Sequence, residues 1–194
     1  MHKLLIFFLL FTNLVFSQNN KKEVLDYQKE LNESYLNPKK TPLKEEELKD
    51  FKGLSFYPYN EKFVVKATLE RLKNQPIFKM PTSGKNQPDY KRYGILHFTI
   101  DNKKFELEVY QNIDLIKMKG YKKHLFLPFI DETSGNETYG AGRYLDIEIP
   151  DENVMVLDFN KAYHPYCAYT LGYSCPITPD VNFLKTEILA GVKF

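Results

Sequence analysis

The side chains best suited to chemistry in this 194-residue chain fall between Asp131 and Cys175. Arg143-Tyr144-Leu145-Asp146 follows a Gly-, Thr- and Asn-containing loop, Asp131 to Gly142, and Asp158-Phe159-Asn160 ends the next apolar segment. If those two segments pair as a tight hairpin, Arg143 comes within reach of Asp158 or Asp146. A guanidinium beside carboxylates at a loop mouth clamps a carboxylate or phosphate through two parallel hydrogen bonds. The expected site is therefore a polar mouth of Asp131, Tyr139, Arg143, Asp158 and Asn160, rimmed by Tyr163 and Tyr166. Its occupant would be a small anionic ligand, with the tyrosines packing on the remainder. The same residues allow a hydrolase, with Asp146 or Asp158 as general base and Arg143 stabilising developing negative charge. They also allow a purely structural reading in which the ion pairs brace the loop.

Cys167 and Cys175 permit three chemistries. In an exported protein, two cysteines eight residues apart are most simply a disulfide. A metal site would draw on His164, Cys167, Cys175 and a carboxylate, without the close Cys-x2-Cys pair of structural zinc sites. A Cys167–His164 nucleophile pair has suitable spacing but no visible orienting group. Gly135…Gly140 imitates a phosphate loop, yet Ala141-Gly142 stand where Lys and Ser/Thr are required. No Gly-x-Ser-x-Gly elbow is present, which disfavours an α/β-hydrolase. His97 reads as a solvent-facing strand residue, and His124 as a weaker candidate at the same end of the sheet as Asp131. No cofactor is indicated.

These residues sit in a chain with an N-terminal address. Met1–Ser17 opens with His2 and Lys3, continues through an apolar run from Leu4 to Phe11, and closes on Val15-Phe16-Ser17. This is the layout of a cleaved secretory signal, with cleavage before Gln18. The run is too short to span a bilayer. The expectation is a bacterial protein exported to the periplasm or beyond, with no membrane span after cleavage. The 27 Lys and Arg against 25 Asp and Glu exclude a strongly basic nucleic-acid binder.

Periodicity then divides the mature chain into an N-terminal helical extension over 18–53 and a single β-rich domain over 54–194. Lys21–Leu36 places Val24, Tyr27, Leu31 and Tyr35 near one helix face. A second short helix is expected from Thr41 as N-cap and Pro42 at its first position, through Glu45–Glu47, to a stop at Gly53. Beyond Phe56 the period becomes two. Strands are expected over Phe63–Leu69, over Gly94–Ile100 and Phe105–Val109 joined by an Asp101-Asn102 turn, and over Leu125–Ile130. Others are expected over Leu145–Ile149, Val154–Phe159 and Phe183–Leu189. No long helix separates them, so the fold class is mainly β (α+β at the N-terminus): an antiparallel sandwich or partly closed barrel.

Phe126-Leu127-Pro128-Phe129…Asp131…Thr133…Gly135-Asn136-Glu137-Thr138-Tyr139-Gly140-Ala141-Gly142-Arg143-Tyr144-Leu145-Asp146 resembles the core signature of domain-of-unknown-function family 1684. Leu157-Asp158-Phe159-Asn160-Lys161-Ala162-Tyr163…Pro165-Tyr166-Cys167-Ala168-Tyr169…Cys175-Pro176 is similar to its second half, in the exported form found in Bacteroidetes. The resemblance runs from about Tyr27 onward and implies no catalytic residues, because the family is defined without an activity. His164 and Thr178 stand where that pattern usually has Asn and Pro. Arg143, Asp146, Asp158, Asn160, Tyr163 and the cysteines fit it.

Overall fold

The computed structural model describes residues 20–194. The proposed signal segment, 1–17, lies outside the described residues. Helix α1 covers 20–36 and buries Val24, Gln28 and Tyr35, the face expected from the apolar spacing. Helix α2 is Glu45–Asp50, shorter than expected. Thr41 does not cap it: its hydroxyl accepts the nearby Leu43 N–H, and the helix opens at Lys44, whose N–H donates to the Glu47 carboxylate at 2.9 Å. Leu43, Leu54 and Tyr35 close over Val192 and seat both helices on the β domain.

Ten strands follow: β1 (Ser55–Phe56), β2 (Val64–Arg71), β3 (Ile77–Lys79), β4 (Asp89–Ile100), β5 (Lys103–Asn112), β6 (His124–Asp131), β7 (Arg143–Glu148), β8 (Val154–Asp158), β9 (Phe183–Leu184) and β10 (Val192–Lys193). The main sheet runs β7-β6-β5-β4-β2-β8 and curls into a half-barrel, with every pair along this path antiparallel. The β4–β5 hairpin forms in the expected register, Leu96 opposite Leu107 and Phe98 opposite Phe105. Its Asp101-Asn102 turn has positive φ at both residues (49° and 61°), the backbone twist that a two-residue hairpin needs. Alternation on β2, β4, β5 and β6 sends Leu69, Leu96, Leu107, Leu125 and Leu127 into one core closed by Phe129 and Phe159. Each such buried side chain contributes roughly 1.5–3 kcal/mol.

Two expectations about pairing need correction. β7 and β8 do not form a hairpin; they are the two opposite ends of the sheet. The chain crosses between these ends through Pro150–Asn153, where Arg71 Nη2 donates to the Pro150 carbonyl at 3.0 Å and Leu69 N–H to that of Asn153 at 2.8 Å. Crossing there lets Leu157 fall opposite Val65 and enter the core. The last strand, expected over Phe183–Leu189, stops after Leu184 and lies parallel to β6. Ile188 and Ala190 turn inward because the Ile188 N–H donates to Asp131 at 2.8 Å and the Ile188 and Ala190 carbonyls accept from Arg143.

Cys167 and Cys175 are joined by a disulfide. Its loop is also tied to the 81–86 segment: the Ser83 N–H donates to the Cys175 carbonyl, and the Cys175 N–H to the Ser83 hydroxyl. Opening the disulfide as Cys167→Ser/Cys175→Ser should lower unfolding free energy by about 2–3 kcal/mol, from loop-closure entropy. Urea denaturation of the oxidised and double-serine proteins measures it; an unchanged midpoint would show that the Ser83 bonds alone hold this loop.

Candidate functional site

The sequence-nominated residues separate into three places. Arg143 and Asp131 meet inside the protein, both side chains without exposure, at an Nη2–Oδ1 distance of 3.1 Å. Arg143 Nη1 donates to the carbonyls of Ala190 and Val192, Nη2 also donates to that of Ile188, and the guanidinium lies 5.2 Å from the Phe129 ring centre. Asp131 accepts from the Ile188 N–H and from the Thr133 hydroxyl and N–H. Burial pulls the guanidinium's pKa down and the Asp131 carboxylate works against that pull. Gly142 lets β7 begin here: its φ is +93°, and a Cβ would stand 2.4 Å from the Phe129 carbonyl. Arg143 thus pairs with Asp131, not with Asp158 or Asp146 as the expected hairpin required; both Nη atoms donate to protein acceptors, while the buried Nε has no partner among the described residues.

Asp158 and Asn160 form a second cluster. Asp158 Oδ1 accepts the Asn160 N–H and side-chain amide at 2.9 and 2.8 Å. Asn160 also exchanges two hydrogen bonds with the Asn60 backbone, and its carbonyl accepts from Gln28 of α1. This cluster docks α1 and the turn at Asn60 against the end of β8. Tyr139 lies apart from both, its N–H donating 3.1 Å to His164 Nε2. The other nitrogen of His164 meets the Tyr169 hydroxyl at 2.8 Å. Both imidazole nitrogens are thus engaged by protein groups, and the two cysteines bond to each other.

Asp146 and Tyr163 reach a recess of about 440 Å³. Phe126, Tyr144 and Asp146 share the face of β6 and β7 opposite the core, because alternation sends Leu125, Leu127, Leu145 and Ile147 the other way. Phe126 stands opposite Asp146 in the register, and the Phe126 and Tyr144 rings meet edge-on with centres 4.8 Å apart. Tyr144 in turn meets Tyr163 edge-on at 5.9 Å. The far wall comes from the disulfide-closed loop, with Tyr166 and Tyr173 meeting at 5.1 Å. At its polar centre the half-exposed Asp146 carboxylate accepts from His124 Nε2 at 2.9 Å and from the Tyr163 hydroxyl at 2.7 Å. His124 therefore lies at this recess, not beside Asp131.

A match to the protein-of-unknown-function family DUF1684 spans residues 49–193. The chain belongs to DUF1684. This DUF1684 domain is also similar to an uncharacterised protein of Haloarcula marismortui solved by solution NMR: 28% identity, TM-score 0.72, covering 92% of this chain and 96% of that one. No curated protein matches the chain. Neither similarity brings an activity to the DUF1684 domain, so its own surface must supply the argument.

Two other hollows can be weighed against the recess. One, of about 780 Å³, lies over the face of β2, β4 and β5 opposite the core. There His97 bridges Glu70 and Glu106 at 3.0 and 3.1 Å, the solvent-facing role expected for it. Another, of about 660 Å³, lies beside β3 and β5, where Arg92 and Glu108 neutralise each other at 2.6 Å and Gln75 and Tyr110 satisfy what remains. In the first, Lys66 and Lys104 also line the wall, and in the second the paired Arg92 and Glu108 form the polar centre. In the aromatic recess the carboxylate is oriented by neighbours and still half exposed. Sequence inspection missed Tyr90, Phe126, Tyr144 and Tyr173 as lining residues. The available signal was an aromatic residue, Phe126 on β6 and Tyr144 on β7, at a position that alternation sends away from the main core.

Proposed function

We propose that this is an exported, non-catalytic small-ligand-binding domain of the bacterial envelope, with its ligand seat in the aromatic recess. One observation carries the proposal: a half-exposed carboxylate, Asp146, oriented by His124 and Tyr163 in a concave surface of aromatic rings. Ligand seats are largely preformed, mostly apolar concavities with a few placed polar groups. The anion-binding reading depends on Arg143 being open to a ligand, and its side chain is wholly buried with both Nη atoms engaged internally. The hydrolase reading needs the same guanidinium beside a catalytic base. His124 is also poorly placed as a base, since Nε2 is engaged by Asp146 and Nδ1 is buried. Ser174, which lines the recess, instead accepts from the Asn86 N–H.

Export is the second half of the proposal, and the N-terminal address supports it. Expressed with its leader in a Gram-negative host, the protein should be recovered from the periplasm beginning at Gln18, as read by N-terminal sequencing. A cytoplasmic product beginning at Met1 would overturn that half. A protein-observed amide-shift NMR screen of small metabolites on residues 18–194 tests the binding half. Hits should shift amides of β6, β7 and residues 163–176, and hits confined elsewhere would move the seat.

A further inference from the structure

The chemistry of the recess narrows what it accepts. Resting on the reading of the recess as a ligand seat, we propose that its ligand is a small organic cation, an alkylammonium or quaternary ammonium compound. The cationic head would sit against the rings of Tyr144 and Tyr163, with Asp146 as counter-charge.

Three observations carry this. First, no Lys or Arg lines the recess, whereas both other large hollows contain them. An incoming anion would meet the Asp146 carboxylate with no lysine or arginine beside it. Second, the aromatic walls stand at steep angles rather than in a stack: Phe126 to Tyr144 at 74°, Tyr144 to Tyr163 at 89°, and Tyr166 to Tyr173 at 65°. Perpendicular rings present faces in different directions around one volume. Ring faces carry partial negative charge, so a recess lined by such rings attracts a cation. Third, the negative potential reaches across the recess. Burial is the largest cause of the raised phenol pKa values of Tyr90, Tyr163 and Tyr166, and the Asp146 charge adds to each of them.

The donors around Asp146 suit this role. His124 and Tyr163 each supply one hydrogen bond, one to each carboxylate oxygen. They hold the carboxylate in place through one hydrogen bond each. A quaternary ammonium head has no N–H to donate, so it asks for a fixed negative charge and ring faces rather than additional acceptors. The disulfide-closed loop positions the outer wall, with the Tyr173 hydroxyl donating to the Pro42 carbonyl at 3.2 Å and Cys175 on the rim.

A matched set of probes tests the inference on residues 18–194. Choline, its uncharged carbon isostere 3,3-dimethyl-1-butanol, the anion 3,3-dimethylbutanoate and the neutral polyol glucose are each titrated while amide shifts near Tyr144, Asp146 and Tyr163 are followed. Choline should bind at least tenfold more tightly than the isosteric alcohol. Asp146→Asn, which keeps a similar side-chain shape, should weaken choline at least fivefold while barely changing the alcohol. Comparable binding of the alcohol, the anion or glucose at these amides would leave the recess a ligand seat and overturn the cation assignment. If none of the four probes moves these amides, the cation assignment falls; the wider metabolite screen then decides the recess itself. Should Asp146→Asn not fold, the choline-to-alcohol ratio in the unaltered protein still decides the assignment.

Discussion

Asp131→Ala is expected to lower unfolding free energy by about 3–5 kcal/mol, because it leaves the wholly enclosed Arg143 guanidinium without its counter-charge. Total stabilities of domains this size run at about 5–15 kcal/mol, so the loss is a large share. The change also strands the Ile188 and Thr133 N–H groups that Asp131 accepts. The converse change, Arg143→Met, should cost a similar amount, since it leaves the buried Asp131 carboxylate without its counter-charge and takes the guanidinium's donors from three carbonyls. Substituting both, as Asp131→Leu/Arg143→Met, should cost less than the sum of the single changes by about 0.5–3 kcal/mol, as contacting partners do. Urea unfolding followed by circular dichroism measures all three, with Asp131→Asn as a milder member of the series. Losses below about 1 kcal/mol for both single variants would mean that water reaches the pair.

Acid should destabilise the protein through His164. Its Nε2 accepts the Tyr139 N–H, so the neutral ring carries its proton on Nδ1 and donates to the Tyr169 hydroxyl. Protonating Nε2 would set two donors against each other. The ring is also 99% enclosed, with a relative exposure of 1%. Burial first, and then the nearby Arg143 charge, pull its pKa from 6.5 to about 3. Below pH ~6.5 the unfolded chain binds a proton that the folded chain refuses, so stability falls as pH falls. The loss accumulates at about 1.4 kcal/mol per pH unit between 6.5 and about 3 and then levels off. Above pH ~6.5 this residue contributes no slope. His164→Gln cannot titrate, and its Oε1 can reach toward the Tyr139 N–H. The difference in unfolding free energy between the unaltered protein and this variant should shrink by about 2 kcal/mol from pH 6.5 to 5. A constant difference across that interval would show that His164 takes up its proton in the folded state.

Some elements were legible because their signals are local. The Asp101-Asn102 turn and the alternation on either side of it specify the β4–β5 hairpin within about twenty residues. Cys167 and Cys175 lie close enough along the chain that the fold readily brings them together. α1 announces its buried face at Val24 and Tyr35 by spacing alone. The expected α2 failed at its start for an equally local reason: Thr41 engaged Leu43 in a tight turn before any helix began.

The candidate site was legible as a set of residues but not as a place. Arg143, Asp146 and Asp158 are neighbours in sequence, and a β7–β8 hairpin would have gathered them. Alternation along β7 puts Arg143 and Asp146 on opposite faces of that strand. The crossing at Pro150–Asn153 then carries Asp158 to the other end of the sheet. Arg143 turned inward to face Asp131, and Asp146 turned outward to meet His124 and Tyr163.

By itself the sequence determined which segments are strands, which face of each is apolar, where the chain must turn and which two cysteines are available to bond. Those properties depend on backbone preferences and on the two-residue period, both readable within a few neighbours. Only the tertiary structure decided which strands pair, which carboxylate neutralises Arg143 and which face of β6 and β7 becomes a recess. Strand pairing follows from the most favourable burial of the whole sheet, and the seat of an ionic group follows from what that burial encloses around it.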